Sequence, residues 1–259
     1  MKARLLFLLC LAPALASGES SEDLANKLSN PVADLISFPI QNNFLFGVGP
    51  TDGFREQTNI QPVVPFELNE HWNLISRTIL PVIYQEGIAP GSGSQFGLGD
   101  ITATLFFSPK DSDPFIWGAG PAFLIPTGTD PLLGTEKWGI GPSALILKQK
   151  CGWTYGILAN HLWSFAGDGD RQEVSSTFLQ PFLSYTTPKA TTFSINTEST
   201  YDWLRDQWTV PINVGVSQLV KIDNQPVSFG VQGTWYAERP VSAPEWGVRF
   251  VVTFLFPES

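Results

Sequence analysis

The sequence predicts an all-β protein, a transmembrane antiparallel β-barrel of about 12 strands with a short helical N-terminal segment. Three observations carry this. From residue 38 onward most of the chain alternates apolar and polar residues with a period of two, in segments of roughly 10–14 residues, where soluble strands run to about five or six. Aromatic side chains gather at the ends of the apolar rows. The connections between segments alternate long and short, as in outer-membrane barrels. Composition agrees, with 13% aromatic residues, nine of them Trp and nineteen Phe, and only 15% charged. Soluble domains carry roughly 25% charged residues, and rings are enriched at membrane interfaces.

The elements follow in order. Residues 1–16 place Lys2 and Arg4 before an apolar core from Leu5 to Leu15, closing on Ala14-Leu15-Ala16. That is the layout of a secretory signal peptide cut after Ala16. It is too short for a membrane-spanning helix, which needs about 20 apolar residues. Leu9 precedes Cys10 where a lipid-modification site needs a small residue. Cys151 is then the one cysteine of the mature chain and reads as an inert thiol in a turn, with no intrachain disulfide.

Residues 17–37, SGESSEDLANKLSNPVADLIS, repeat Leu24, Leu28, Val32 and Leu35 at helical spacing. Ser20 or Ser21 is placed to cap, and Asn30-Pro31 resembles a second cap with proline at the first helical position. One or two short helices are expected. Three roles stay open for them: a plug inside the barrel, a handle for a periplasmic partner, or a loosely ordered leader.

Residues 38–259 form the barrel domain. Its segments lie near 38–49, 56–66, 72–85, 97–108, 115–126, 138–149, 153–164, 174–186, 190–203, 208–221, 226–237 and 245–256. In 191–203, TTFSINTESTYDW, one row carries Phe193, Ile195, Tyr201 and Trp203 and the other Asn196, Glu198 and Asp202. In 208–216 Trp208, Val210, Ile212, Val214 and Val216 share a row, as do Trp246, Val248, Phe250, Val252, Phe254 and Phe256 near the end. Gln57, Asn59 and Gln61 oppose Ile60, Val64 and Phe66. Segment 174–186 is ambiguous, with apolar residues in both rows.

An even number of such strands closes without leaving an edge. A membrane barrel turns its apolar row outward. Trp72 and Tyr84 share a row, as do Trp153 and Phe165, and each pair spans roughly the 25 Å apolar band of a tilted strand. With both termini in the periplasm, the long connections, such as TGTDPLLGTEK and FAGDGDRQE, fall outside. The short ones, such as KQKCG and TPKA, fall inside. A carboxylate toward lipid near mid-membrane is costly, so Glu198 and Asp202 are expected to face inward.

The inward row is expected to include Arg77, Asp100, Asn196, Glu198, Asp202, Gln232, Tyr236 and Arg249. Charges of both signs on an inner wall either set a constriction for a passing solute or pair into a network that fills a closed lumen. The net charge of −9 argues against nucleic acid, which needs a basic face. Enzyme chemistry is not expected. In NHLWS, His161 and Ser164 stand three apart on one strand and so point to opposite faces, while His71 falls in an inner turn beside Trp72. Asp168, Asp170 and Glu173 read as an exposed acidic loop, so no metal and no cofactor are expected. The expected partners are outer-membrane lipids and lipopolysaccharide, the outer-membrane assembly machinery and a small solute.

The runs LSNPVADLISFPIQNNF, NIQPVVPFELNEHWNLISRTILPVIYQ, SQFGLGDITATLFFSPK, LGTEKWGIGPSALILK, WTYGILANHLWS, TFLQPFLSYTT and NTESTYDW resemble a group of bacterial outer-membrane proteins described as transporters. That group is related to the family associated with the meta-pathway of phenol degradation, and some members carry the label neuromedin U. The resemblance covers nearly all of the mature chain. It implies a β-barrel in the outer membrane of a Gram-negative bacterium and a transport role, with small hydrophobic or aromatic compounds as the implied class. It transfers no site residue. Pro257-Glu258-Ser259 runs past Phe256, where many such barrels end on the aromatic. A structural or interaction protein with a filled lumen is the alternative, and a lipid hydrolase the more remote one.

Overall fold

The structure, a computed structural model, describes residues 19–257. The expected signal peptide over 1–16 lies outside the described residues. One helix, α1 (Ser21–Leu28), precedes fifteen strands: β1 (Ile36–Val48), β2 (Gly53–Ile60), β3 (Val63–Glu67), β4 (Trp72–Glu86), β5 (Ser94–Leu98), β6 (Ile101–Pro109), β7 (Ile116–Ile125), β8 (Lys137–Lys150), β9 (Trp153–Gly167), β10 (Ser175–Thr186), β11 (Thr191–Thr197), β12 (Ser199–Asp202), β13 (Gln207–Ile222), β14 (Gln225–Glu238) and β15 (Trp246–Phe256). Each of β2/β3, β5/β6 and β11/β12 is a single interrupted span, which leaves twelve spans. Every neighbour is antiparallel. β15 closes on β1, from Ile36 opposite Phe256 to Phe46 opposite Trp246. The sheet is therefore a closed twelve-span barrel, as the periodicity predicts.

Proline accounts for the three interruptions, because it has no N–H to give to the ladder. Pro62 separates β2 from β3. Gly99, between β5 and β6, donates to the Pro81 carbonyl at 2.9 Å. Extending the β11–β13 register places Glu198 across from Pro211, where β13 also shifts register against β14.

The two rows sort as a membrane barrel requires. Phe193, Val214 and Phe250 are 54%, 57% and 51% exposed on the outer wall. The buried wall residues are largely polar, among them Asn43, Gln61, Gln85, Thr104, Ser143, Asn213, Thr234 and Arg249. A soluble barrel would reverse this. No helix among the described residues is long and apolar enough to cross a membrane; the strands do so. Trp246 stacks on Phe46 with ring centroids 4.4 Å apart, and Tyr201 lies 4.8 Å from Trp208. These contacts build an aromatic girdle. One carboxylate breaks the pattern. Glu56 shares the outward row of Phe44 and Tyr84, and Asn42 Nδ2 donates to it at 2.9 Å. The hydrogen bond and its place one residue pair below Phe54 at the girdle lower the cost of that position.

We call the end that carries Ile36 and Phe256 the inner end. Its turns are tight. Cys151 and Gly152 both take positive φ, 50° and 79°, as a two-residue hairpin needs. The longest connection, 126–136, lies at the outer end. This gives a topology test. Leu132→Cys and Asp170→Cys, in outer loops, should react with a membrane-impermeant maleimide on intact cells, while Cys151 should not. Labelling of Cys151 from outside would reverse the orientation.

Ser20 caps α1 by accepting from the Asp23 N–H at 3.1 Å. Asn30 starts a turn, its Oδ1 accepting from Val32 N at 3.0 Å, and no second helix follows. Segment 19–35 packs against the inner wall. Leu24, Ala25, Ala33 and Leu35 cluster with Ala190, Leu219 and Leu255, and Val32 with Ile75, Phe106, Leu145, Leu147 and Leu158. Gln149 Nε2 donates to the Asn26 carbonyl at 2.7 Å. The apolar part of the interior is thus the part this segment covers.

Candidate functional site: a polar chamber between two caps

The interior is divided along the barrel axis. At the inner end a cavity of about 290 Å³ lies against Leu28, Asn30, Pro31 and Leu35 of the N-terminal segment. Beyond it lies a central chamber of about 370 Å³. Amides and hydroxyls dominate its wall, with Gln41, Asn59, Gln61, Thr102, Thr104, Asn160, Gln180 and Thr200 among them, and Ile79, Leu162 and Phe178 supply apolar surface. Among the described residues three charged side chains line it: Arg77, Glu198 and Arg249.

Arg249 and Glu198 form a two-pronged pair. Nη1 meets Oε1 at 2.9 Å and Nη2 meets Oε2 at 2.8 Å. Such fork-to-fork geometry is the strongest a guanidinium makes with a carboxylate. The remaining donors of Arg249 are also used, Nε by Asn43 Oδ1 at 2.5 Å and Nη1 again by Gln232 Oε1 at 3.2 Å. Every charge of the pair is therefore hydrogen-bonded, which a buried ion pair needs if it is not to cost stability.

Arg77 differs. Its Nη2 reaches Gln61 Oε1 only at 3.5 Å, and among the described residues it forms no ion pair, Glu198 acting on it only at longer range. It lines both cavities, as do Gln41, Gln61, Gln180, Asn196 and Gln232, and so stands at their boundary. Arg55 points inward nearer the outer end, its Nε donating to Gln85 Oε1 at 2.9 Å.

The residues expected on the inward row separate into three groups. Glu198, Arg249 and Gln232 meet directly, and Arg77 shares their chamber. Asn196 lines the same chamber and accepts from Asn213 Nδ2 at 2.9 Å, whose Oδ1 accepts from Thr234 at 2.7 Å. Asp100, Asp202 and Tyr236 do not line it. Asp202 holds the 203–206 turn, accepting from the Leu204 N–H at 2.9 Å and pairing with Arg205 at 2.7 Å. Asp100 anchors loop 126–136 by accepting from Gly128 N at 3.0 Å and from the Thr135 N–H and hydroxyl, each at 2.6 Å. Tyr236 lies on the inward row of β14, opposite Pro211.

Loop 126–136 makes an outer cap. It turns back onto the inner faces of Gly97 and Gly99, which leave room because they lack a Cβ, and it buries Leu133 there. The Leu98 N–H donates to Thr129 Oγ1 at 3.0 Å. Arg171 from the next outer loop donates to the carbonyls of Pro131 and Gly134 at 2.7 and 2.5 Å. In that loop Glu173 pairs with the buried Lys137 at 2.7 Å. The hydrogen bonds from Lys137 and then Ser164 hold the Glu173 carboxyl below its ordinary range. Asp168, Asp170 and Glu173 do not converge, and among the described residues no three His, Cys, Asp or Glu side chains are grouped to hold a metal.

His161 sits on the outer wall. Its Nδ1 is 2.7 Å from Thr177 Oγ1 and its Nε2 3.5 Å from Ser175 Oγ. Ser164 donates instead to Glu173. Thr177 also takes the Trp203 indole N–H at 2.8 Å. The cluster orients rings of the outer girdle, His161 lying 4.0 Å from Trp163.

No family model and no curated protein sequence matches the chain. Solved structures do. The COG4313 outer membrane channel from Pseudomonas putida F1 superposes with a TM-score of 0.68 at 15% identity, covering 86% of this chain and 96% of that one. The NanC porin gives 0.54 at 8% identity, over 85% and 100%. Outer membrane phospholipase A from Escherichia coli gives 0.45 at 11% identity, over 93% and 99%, too low to carry an argument. The fold is therefore that of outer-membrane β-barrels. The two highest-scoring of these neighbours are a channel and a porin.

Proposed function

We propose that the protein is a passive outer-membrane channel for small molecules, closed at its inner end by residues 19–35 acting as a plug. The observation that carries this reading is the polar chamber. A barrel whose only task is to stand in the membrane gains nothing from a 370 Å³ space lined by amides and hydroxyls in line with a second cavity. Support comes from the likeness of fold to the COG4313 channel and from the sequence resemblance to transporters of the phenol-degradation group. That resemblance points to small hydrophobic or aromatic solutes, and Ile79, Leu162 and Phe178 would give them apolar contact. Lipopolysaccharide and the assembly machinery are the partners such a barrel meets.

The refolded full chain in a planar bilayer should show discrete single-channel steps of small conductance. The structural reading has its own motive, since the Arg249–Glu198 pair and the plug fill much of the lumen. It predicts no steps at any voltage, with and without residues 19–35.

A further inference from the structure

The charges around the chamber do not balance. Among the described residues Glu198 is its only carboxylate, and both of its oxygens are taken by Arg249. The pair leaves no carboxylate oxygen free for a direct bond to a second cation. Arg77 remains, with one hydrogen bond at the limit of the usual range and no ion pair among the described residues; Glu198 acts on it only at longer range and is already shared with Arg249. Arg55, farther out on the same wall, likewise faces an amide and no carboxylate. A solute crossing between the outer cap and the inner plug therefore meets a net positive wall.

We propose that the central chamber is a site for small organic carboxylates, with the carboxylate held by Arg77 and an apolar body lying against Ile79, Leu162 and Phe178. The inference rests on reading the chamber as the solute path. Three features argue for it. A guanidinium offers two parallel N–H groups at the spacing of carboxylate oxygens, and those of Arg77 are uncommitted apart from the long contact to Gln61. Two buried guanidinium groups share the single Glu198 carboxylate, and an anionic ligand supplies the second negative charge that the wall lacks. Gln61, Gln41, Gln180 and Asn196 stand around Arg77 in both cavities, and their amide N–H groups can take the outer lone pairs of the same carboxylate. Cations find no open carboxylate here. A chamber of about 370 Å³ is within the range of roughly 300–1,000 Å³ usual for small-molecule sites.

Benzoate is a suitable probe because benzamide keeps its shape without its charge. Each is added during refolding of the full chain, so that the plug cannot exclude it, and binding is read as the concentration that shifts the urea midpoint in detergent. Benzoate should bind at least tenfold more tightly than benzamide. Arg77→Gln should lose that tenfold preference, and Arg77→Lys should keep part of it, since it keeps the charge without the fork. In a bilayer under a KCl gradient the wild-type reversal potential should show chloride preferred over potassium, and Arg77→Gln should move it toward no preference. Equal binding of benzoate and benzamide to the wild type overturns the proposal whether or not the variants fold, as does a potassium-selective pore. Benzoate binding that requires Arg77, in a barrel that never conducts, removes the channel reading and keeps the carboxylate site. Conductance without benzoate preference does the reverse.

Discussion

Replacing Glu198 with Gln should destabilise the barrel by about 3 kcal/mol, the low end of what breaking a buried ion pair costs. The low end applies because the Glu198 side chain is 27% exposed, toward the chamber, while that of Arg249 is 10% exposed. The amide keeps the volume but can accept from only one guanidinium nitrogen, and its NH₂ faces the other. Arg249 cannot turn away to water, because Asn43 and Gln232 hold its remaining donors. Urea unfolding of the refolded protein in lipid measures the loss. Adding Arg249→Gln should recover a large part of it, since removing both charges costs far less than stranding one. Equal stability of Glu198→Gln and wild type would mean that chamber water already screens the pair. Chloride preference should rise in Glu198→Gln, because the neutralised positive charge is released.

The wall of this barrel was legible in the sequence because its two rows obey different solvents. In 191–203 lipid dictates Phe193 and Ile195, and the interior dictates Asn196 and Glu198; a period of two makes that visible without any partner strand. The ambiguous stretch 174–186 shows the limit. β10 puts Phe178 and Phe182 inward, where Phe178 lines the chamber and both pack beside the Val32 cluster. They are apolar because another part of the chain covers them, and periodicity cannot see that. The inward faces of Ile75, Phe106 and Leu145 have the same cause. Asp100 stands on the expected inward row but does not line the chamber, because its partners lie 28 and 35 residues away in a loop that folds back onto it. Asn43, which completes the Arg249 shell, sits in a run, IQNNF, with polar residues in both rows. Asp202 alternates with the inward row, yet the adjacent Arg205 and the turn capture it. Alternation assigns a face and says nothing of which neighbour takes the charge.

Deleting residues 19–35 should raise single-channel conductance severalfold. Leu24, Val32 and Leu35 are nearly fully buried, and burial of each such side chain is worth about 1.5–3 kcal/mol. Together with the bond from Gln149 to Asn26, this holds the segment in place by several kcal/mol at the upper bound, so spontaneous opening is rare. Removal exposes Ile75, Phe106, Leu145, Leu219 and Leu255 to water in the inner vestibule. The deletion barrel should therefore be less stable but still closed, because none of its strand ladders uses residues 19–35. A milder variant guards against failure to fold. Leu24→Ala with Leu35→Ala removes apolar contact without removing chain, and should lengthen open times rather than abolish closure. The outer cap remains in both, so conductance should stay below that of an empty barrel until Asp100→Asn also loosens loop 126–136. If deletion leaves conductance unchanged while a periplasmic partner is lost, the segment is a handle. If the barrel stays silent in every variant, the chamber is no passage and the ion pair at its centre is structural.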